Sequence, residues 1–183
     1  MQASGRGPGP RPLDCGFTAH GSWYFKSHTN FMPNDFARYP GLKCLYPSGE
    51  MIGHDVYNGE EIRGWYNYTT DHEGKAEDNF TEESMQKSTE RIHRIIDDEA
   101  AKVGHENVFV GGISQGCCTA IHAVLTYPHR IGGLLGIVGH LLTPTPLDNL
   151  DKSMPVRLFY GEKDDVEEKF DFLRPKGAKN RIF

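Results

Sequence analysis

Gly112-Ile113-Ser114-Gln115-Gly116 follows directly on the apolar run Val108-Phe109-Val110-Gly111 and runs directly into a helix-forming stretch. A serine with glycine two residues before and two after it, between a strand candidate and a helix candidate, reads as a nucleophile elbow. So sharp a turn tolerates almost no side chain on its flanks, which explains the glycines. The bend lifts the hydroxyl above the sheet edge and aims the first helical N–H groups at the place where an acyl oxyanion would form. In a chain with 21 glycines the same five letters also describe an ordinary tight turn. Context separates the two. Val108 to Val110 has the β-branched and aromatic character of a strand buried on both faces. From Cys117 to Tyr127 the residues Cys117, Ala120, Ile121, Val124 and Leu125 recur at helical spacing, and Pro128 closes the helix.

The 183 residues are enough for one domain with a real core, which the sequence sets at 13–183 behind a Gly- and Pro-rich stretch, 1–12, expected to be a disordered tail. A net charge of −5 with scattered lysines and arginines gives no basic groove, so no nucleic-acid partner is expected. Cys15, Cys44, Cys117 and Cys118 lack metal-ligand spacing and read as reduced structural thiols of a cytoplasmic protein that needs no metal. No secretory signal is visible at the N-terminus, so the sequons at Asn67 and Asn79 read as chance matches. Ile131 to Leu142 is too short to span a bilayer, and no stable membrane insertion is expected.

Outward from the elbow, short strand candidates lie at Gly16–His20, Leu42–Tyr46, Gly133–Val138 and Pro155–Tyr160. Thr81 to Val103 is an amphipathic helix candidate with Met85, Ile92, Ile95, Ile96, Ala100 and Val103 on one face, acidic Glu82 and Glu83 in its first turn, and Gly104 at its end. Residues 48–79 form a long polar excursion around the aromatic cluster Trp65, Tyr66 and Tyr68, and long excursions in compact domains tend to be functional. Strands alternating with helices predict an α/β fold, a mostly parallel sheet with helices on both faces. Ligands of such sheets sit beyond the C-terminal strand ends, where Ser114, His140 and Asp164 all fall.

Several of these pieces coincide, in order, with those of one family. His20-Gly21 resembles its oxyanion loop and Leu42-Lys43-Cys44-Leu45-Tyr46-Pro47 its next strand. Trp65-Tyr66-Asn67 resembles its Trp-Phe/Tyr-Asp motif, Val108 to Gly116 its elbow, and Phe159 to Val166 its Gly-x-x-Asp turn. From His20 onward the chain resembles the acyl-protein thioesterase, lysophospholipase and carboxylesterase family of α/β-hydrolases. That resemblance implies a cofactor-free serine hydrolase acting on fatty acyl thioesters or esters, with S-acylated proteins, small acyl esters or lysophospholipids as substrates. It assigns Ser114 as nucleophile, the backbone N–H groups of Gln115 and Ser22 as the oxyanion hole, Gly112 and Gly116 as the elbow glycines, Asp164 as the triad acid, with Asp165 the alternative, and Trp65 as a substrate-binding residue.

The sequence departs from that pattern in several places. The family's triad histidine lies in a loop after the last strand, whereas all nine histidines here lie between positions 20 and 140. Gly177 to Phe183 resembles the start of the strand leading into that loop, so the fold is expected to be C-terminally incomplete and to stop before its general base. Asn67 stands in place of an aspartate, and Ser22-Trp23 replaces the usual Leu-Gly. His140 is the one histidine with a geometric claim to act as substitute base; as a strand-end residue it reads more simply as packing. His20 belongs to the oxyanion loop, and His28, His54, His72, His93, His105, His122 and His129 read as solvated or core residues. Two readings beside the esterase follow: an acyl- or lipid-binding module that keeps the pocket without the base, and an unrelated doubly wound protein with a coincidental elbow.

Overall fold

A computed structural model of the chain describes residues 41–69, 79–147, 151 and 153–160. The expected tail, the Gly16–His20 strand, Ser22, Asp164 and Asp165 lie outside these residues.

Three strands form a parallel sheet in the order β3-β4-β5: β3 (Phe109–Ile113), β4 (Gly133–Ile137) and β5 (Val156–Phe159). The register pairs Phe109 with Gly133 through Ile113 with Ile137, and Leu134 with Val156 through Ile137 with Phe159. All three strands therefore end on one edge. Two bonds carry the ladder a step past them, Ser114 N–H to the Ile137 oxygen (2.9 Å) and Val138 N–H to the Phe159 oxygen (2.8 Å).

Helix α1 (Glu82–Val103) follows its sequence signals closely. Thr81 is extended, Glu82 and Glu83 complement the positive helix start, and Gly104 at φ 85° ends it with its N–H on the Ala100 oxygen. Met85, Ile92, Ile96 and Ala100 are buried, whereas Ile95 is only half-buried and Val103, in the last turn, is exposed. The apolar stripe thus runs out one turn early. Helix α2 (Gln115–Thr126) links β3 to β4 and is buried along nearly its whole length. It has no wet face because its sequence offers none: apart from Gln115 and His122 its polar groups are hydroxyls and thiols, and Thr119 and Thr126 return their hydroxyls to the carbonyls of Gln115 and His122.

Two expectations fail. β3 is not buried on both faces: Phe109 is 67% exposed, and Leu135 of the adjacent β4 is also open. Phe109 rests one side of its ring on Gly132 and Gly133, where an added Cβ would come within 2.9 and 3.1 Å of it, and leaves the other side uncovered. Leu42–Tyr46 is not a strand. A strand exists only by pairing, and among the described residues this segment has no partner; Leu42 and Leu45 are exposed, and Lys43 pairs with Glu99 of α1 at 2.7 Å.

The aromatic excursion instead opens with an antiparallel hairpin, β1 (Glu50–His54) and β2 (Glu60–Gly64), closed through a short 3-10 turn and by Asn58 and Gly59, both at positive φ. Inside it, His54 is buried with neither ring nitrogen hydrogen-bonded among the described residues. Burial holds its pKa below the ordinary 6.5 against the pull of Asp55. His122 is lowered too, first by burial and then by His93. Both imidazoles fold in their neutral form, while the unfolded chain takes up protons near pH 6.5, so stability is full above that value and falls as pH drops through it until the lowered folded values are reached. The melting temperature is expected to fall between pH 7.5 and 5.5, and less steeply in His54→Phe; equal slopes would remove His54 from the account.

Candidate active site

Ser114 sits at φ 53° and ψ −125°, a combination that L-residues rarely adopt, at the junction of β3 and α2. It begins the helix without capping it. Its carbonyl oxygen accepts the N–H groups of Cys117 (2.8 Å) and Cys118 (3.1 Å), and the N–H groups of Gln115 and Gly116 come before these bonds, among the helix-start donors that have no intrahelical acceptor. Gly112 is the tightest point. A Cβ there would lie 2.1 Å from the Gly116 oxygen and 2.6 Å from the Cys117 nitrogen, so only glycine lets the strand and the first helical turn pass each other.

The Gln115 side chain has a second task, invisible in the sequence. It is 1% exposed, its Oε1 accepts the Trp65 N–H (2.9 Å), and its Nε2 donates to the Tyr66 oxygen (2.8 Å). From the other side Ser88 of α1 donates its hydroxyl to the Trp65 oxygen. Trp65-Tyr66 is thus bolted at the backbone to the helix that starts at Ser114. Trp65 itself is buried in the core, and its residue lines a cleft of about 330 Å³ between the hairpin and α1. Asn67 continues the framework, accepting the Asp55 N–H (2.9 Å) and donating to the Thr81 hydroxyl (3.1 Å). The amide supplies both an acceptor and a donor, which an ionised aspartate there would not.

His140 turns toward α2. Its Nδ1 lies 3.4 Å from the Cys118 sulfur, which also accepts its backbone N–H at 3.3 Å. Ser114 and His140 share the sheet edge, yet no hydrogen bond joins them among the described residues. Burial pushes the Cys117 thiol well above its ordinary value, with Cys118 adding to the effect, so this thiol stays protonated. Among the described residues the thiols of Cys44, Cys117 and Cys118 are not joined in a disulfide, and no group of three or more acids, histidines or cysteines is arranged to hold a metal.

The sequence pattern of the Phospholipase/Carboxylesterase family matches residues 20–172. The chain belongs to that family. Among curated relatives of this family member, acyl-protein thioesterase 1 of Schizosaccharomyces pombe is 31% identical over 75% of the chain, and a probable carboxylesterase of Oryza sativa subsp. japonica is 32% identical over 68%. The chain spans 62% and 55% of their respective lengths. Among solved structures, Arabidopsis thaliana SOBER1 superposes with a TM-score of 0.55 at 25% identity, covering 70% of this chain and 66% of that one. Zea mays acyl-protein thioesterase 2 gives a TM-score of 0.59 over 86% of this chain and 75% of that one; at 18% identity it speaks to the fold alone. The fold of this phospholipase/carboxylesterase family member is that of an α/β-hydrolase. No described helix is long and apolar enough to cross a membrane.

Proposed function

We propose that the protein is a serine hydrolase of acyl thioesters or esters, with S-acylated proteins or small acyl lipids as substrates and Ser114 as nucleophile. The observation that carries this reading is the strained backbone of Ser114. A conformation costing about 1–3 kcal/mol persists only where its surroundings enforce it, and such conformations cluster at reacting groups. In the proposed reaction the Ser114 oxygen attacks the acyl carbonyl carbon, and the oxyanion is met by the N–H of Gln115 and by that of Ser22. Collapse of the tetrahedral adduct expels the thiol or alcohol, which takes up the proton that the Ser114 hydroxyl gave to a general base oriented by Asp164, and leaves an acyl-serine that water then hydrolyses. The alternative, an acyl-binding module with weak or no turnover, is favoured by one observation: His140, at the same sheet edge as Ser114, engages Cys118.

An alkyl fluorophosphonate distinguishes these readings. Esterification mapped by peptide mass spectrometry to Ser114 supports the hydrolase; slow or absent labelling alongside tight binding of a fatty acid supports the binding module; an adduct elsewhere removes Ser114 from the mechanism. Ser114→Gly serves as control with its own expected signature. It abolishes labelling yet raises stability by about 1–2 kcal/mol, because glycine adopts this backbone without strain. Unchanged or lower stability would mean that the bend is not strained.

A further inference from the structure

Asn58, Ser114 and Val138 are the non-glycine residues with positive φ among the described positions. Asn58 closes a hairpin, a place where asparagine is at home. Val138, at φ 48°, is a different matter, because a β-branched side chain in the left-handed region is a genuine outlier. Its place is fixed from both sides. Its N–H is held by the Phe159 oxygen at 2.8 Å, and the residue after it, Gly139, lies so close to Cys117 that an added Cβ would approach the sulfur to 2.5 Å.

The parallel register puts Val138 beside Ser114. Ile113 pairs with Ile137, and the next residue on each strand is one of the two strained positions. Packing does not account for the valine: 44% of its surface is exposed, and it is not part of the core cluster. The fold thus keeps an apolar, branched side chain in an unfavourable conformation, nearly half exposed, at the edge where the candidate nucleophile stands. Glycine or asparagine would satisfy that backbone at lower cost.

We infer that Val138 is a specificity-determining residue, an apolar wall beside Ser114 against which the acyl chain of the substrate lies. This rests on the acyl-hydrolase reading and adds to it the strand-end residue that recognises the apolar part of the substrate. Two variants separate shape from strain. Val138→Thr keeps the branch and the strained backbone but replaces a methyl by a hydroxyl; Val138→Gly removes both the wall and the strain.

With the full chain and cis-parinaric acid, a fluorescent long-chain fatty acid, both variants are expected to bind roughly tenfold more weakly than wild type, the scale of losing one apolar contact in a binding pocket. Val138→Thr should melt with the wild type, and Val138→Gly about 3 °C higher. Wild-type affinity in both variants would overturn the role of Val138 and leave the acyl reading intact. A lower melting point for Val138→Gly would overturn it as well, by making the side chain structural. Failure of the wild type to bind any long-chain acyl probe would remove the acyl reading and this inference together.

Discussion

Gly112→Ala is expected to silence Ser114 without touching it. The added methyl would sit 2.1 Å from the Gly116 carbonyl oxygen and 2.3 Å from its carbon. Both are backbone atoms in the first turn of α2, so no rotamer change relieves the contact. Either β3 or the start of the helix must move by an ångström or more, and overpacking of this kind against main chain costs about 3 kcal/mol or more. For a chain of this size that is a fall in melting temperature of roughly 6–12 °C. The reaction should suffer further. The N–H groups of Gln115 and Gly116 ride on the displaced turn, and a misplacement of about 1 Å between a nucleophile and its partners is worth about a hundredfold in rate. Fluorophosphonate labelling at a temperature where the variant is still folded measures the second effect apart from the first. A melting point within a degree or two of the wild type would show that the elbow has slack, and the strain argument for Ser114 would fall with it.

What the sequence revealed of this site followed from local steric rules, and what it hid depended on distant partners. The elbow was legible because a strand, a tight turn and a helix each leave their own residue pattern, and Gly112 and Ser114 meet those patterns within a few positions. Helix α1 was legible from Glu82, Glu83 and Gly104 at its ends and from its apolar period between them. The hairpin was not. β1 and β2 each bury only their last residue, His54 and Gly64, and their exposed positions are mostly charged, so no period of two emerges; the Asn58-Gly59 pair was the sole signal of a reversal. Leu42–Tyr46 failed in the opposite sense, with strand-like composition and no described strand beside it. Gln115 was singled out for its backbone N–H, while its side chain reaches main-chain atoms 49 and 50 residues earlier. No pattern of residue types announces a bond to a backbone. His140 stands at the expected edge, and only coordinates reveal that its ring faces Cys118.

Those two hydrogen bonds make Gln115 the residue whose loss should loosen the aromatic segment most. In Gln115→Leu the volume is roughly kept, but the buried Trp65 N–H and Tyr66 C=O both lose their partner. At about 1–3 kcal/mol for each of the two orphaned groups, the variant should lose about 2–6 kcal/mol. Gln115→Glu is the sharper test, because its penalty depends on pH. As a carboxylate it can still accept the Trp65 N–H, but it sets a negative oxygen against the Tyr66 carbonyl and carries a charge into a site that is 1% exposed. As a carboxylic acid it can donate to that carbonyl and reproduce the amide's pattern. Its folded pKa must therefore lie above the unfolded value of about 4.3. A raised carboxyl pKa contributes stability that is fully present below the unfolded value and is lost as pH rises through the folded one. Gln115→Glu should accordingly approach the wild type near pH 4.5 and fall progressively behind it toward pH 7.5, while the gap for Gln115→Leu stays constant across that range. Parallel melting curves for the wild type and Gln115→Glu at every pH would mean that residue 115 does not face the Tyr66 carbonyl. The aromatic segment would then be held by its other contacts, among them the Ser88 hydroxyl of α1 on the Trp65 oxygen.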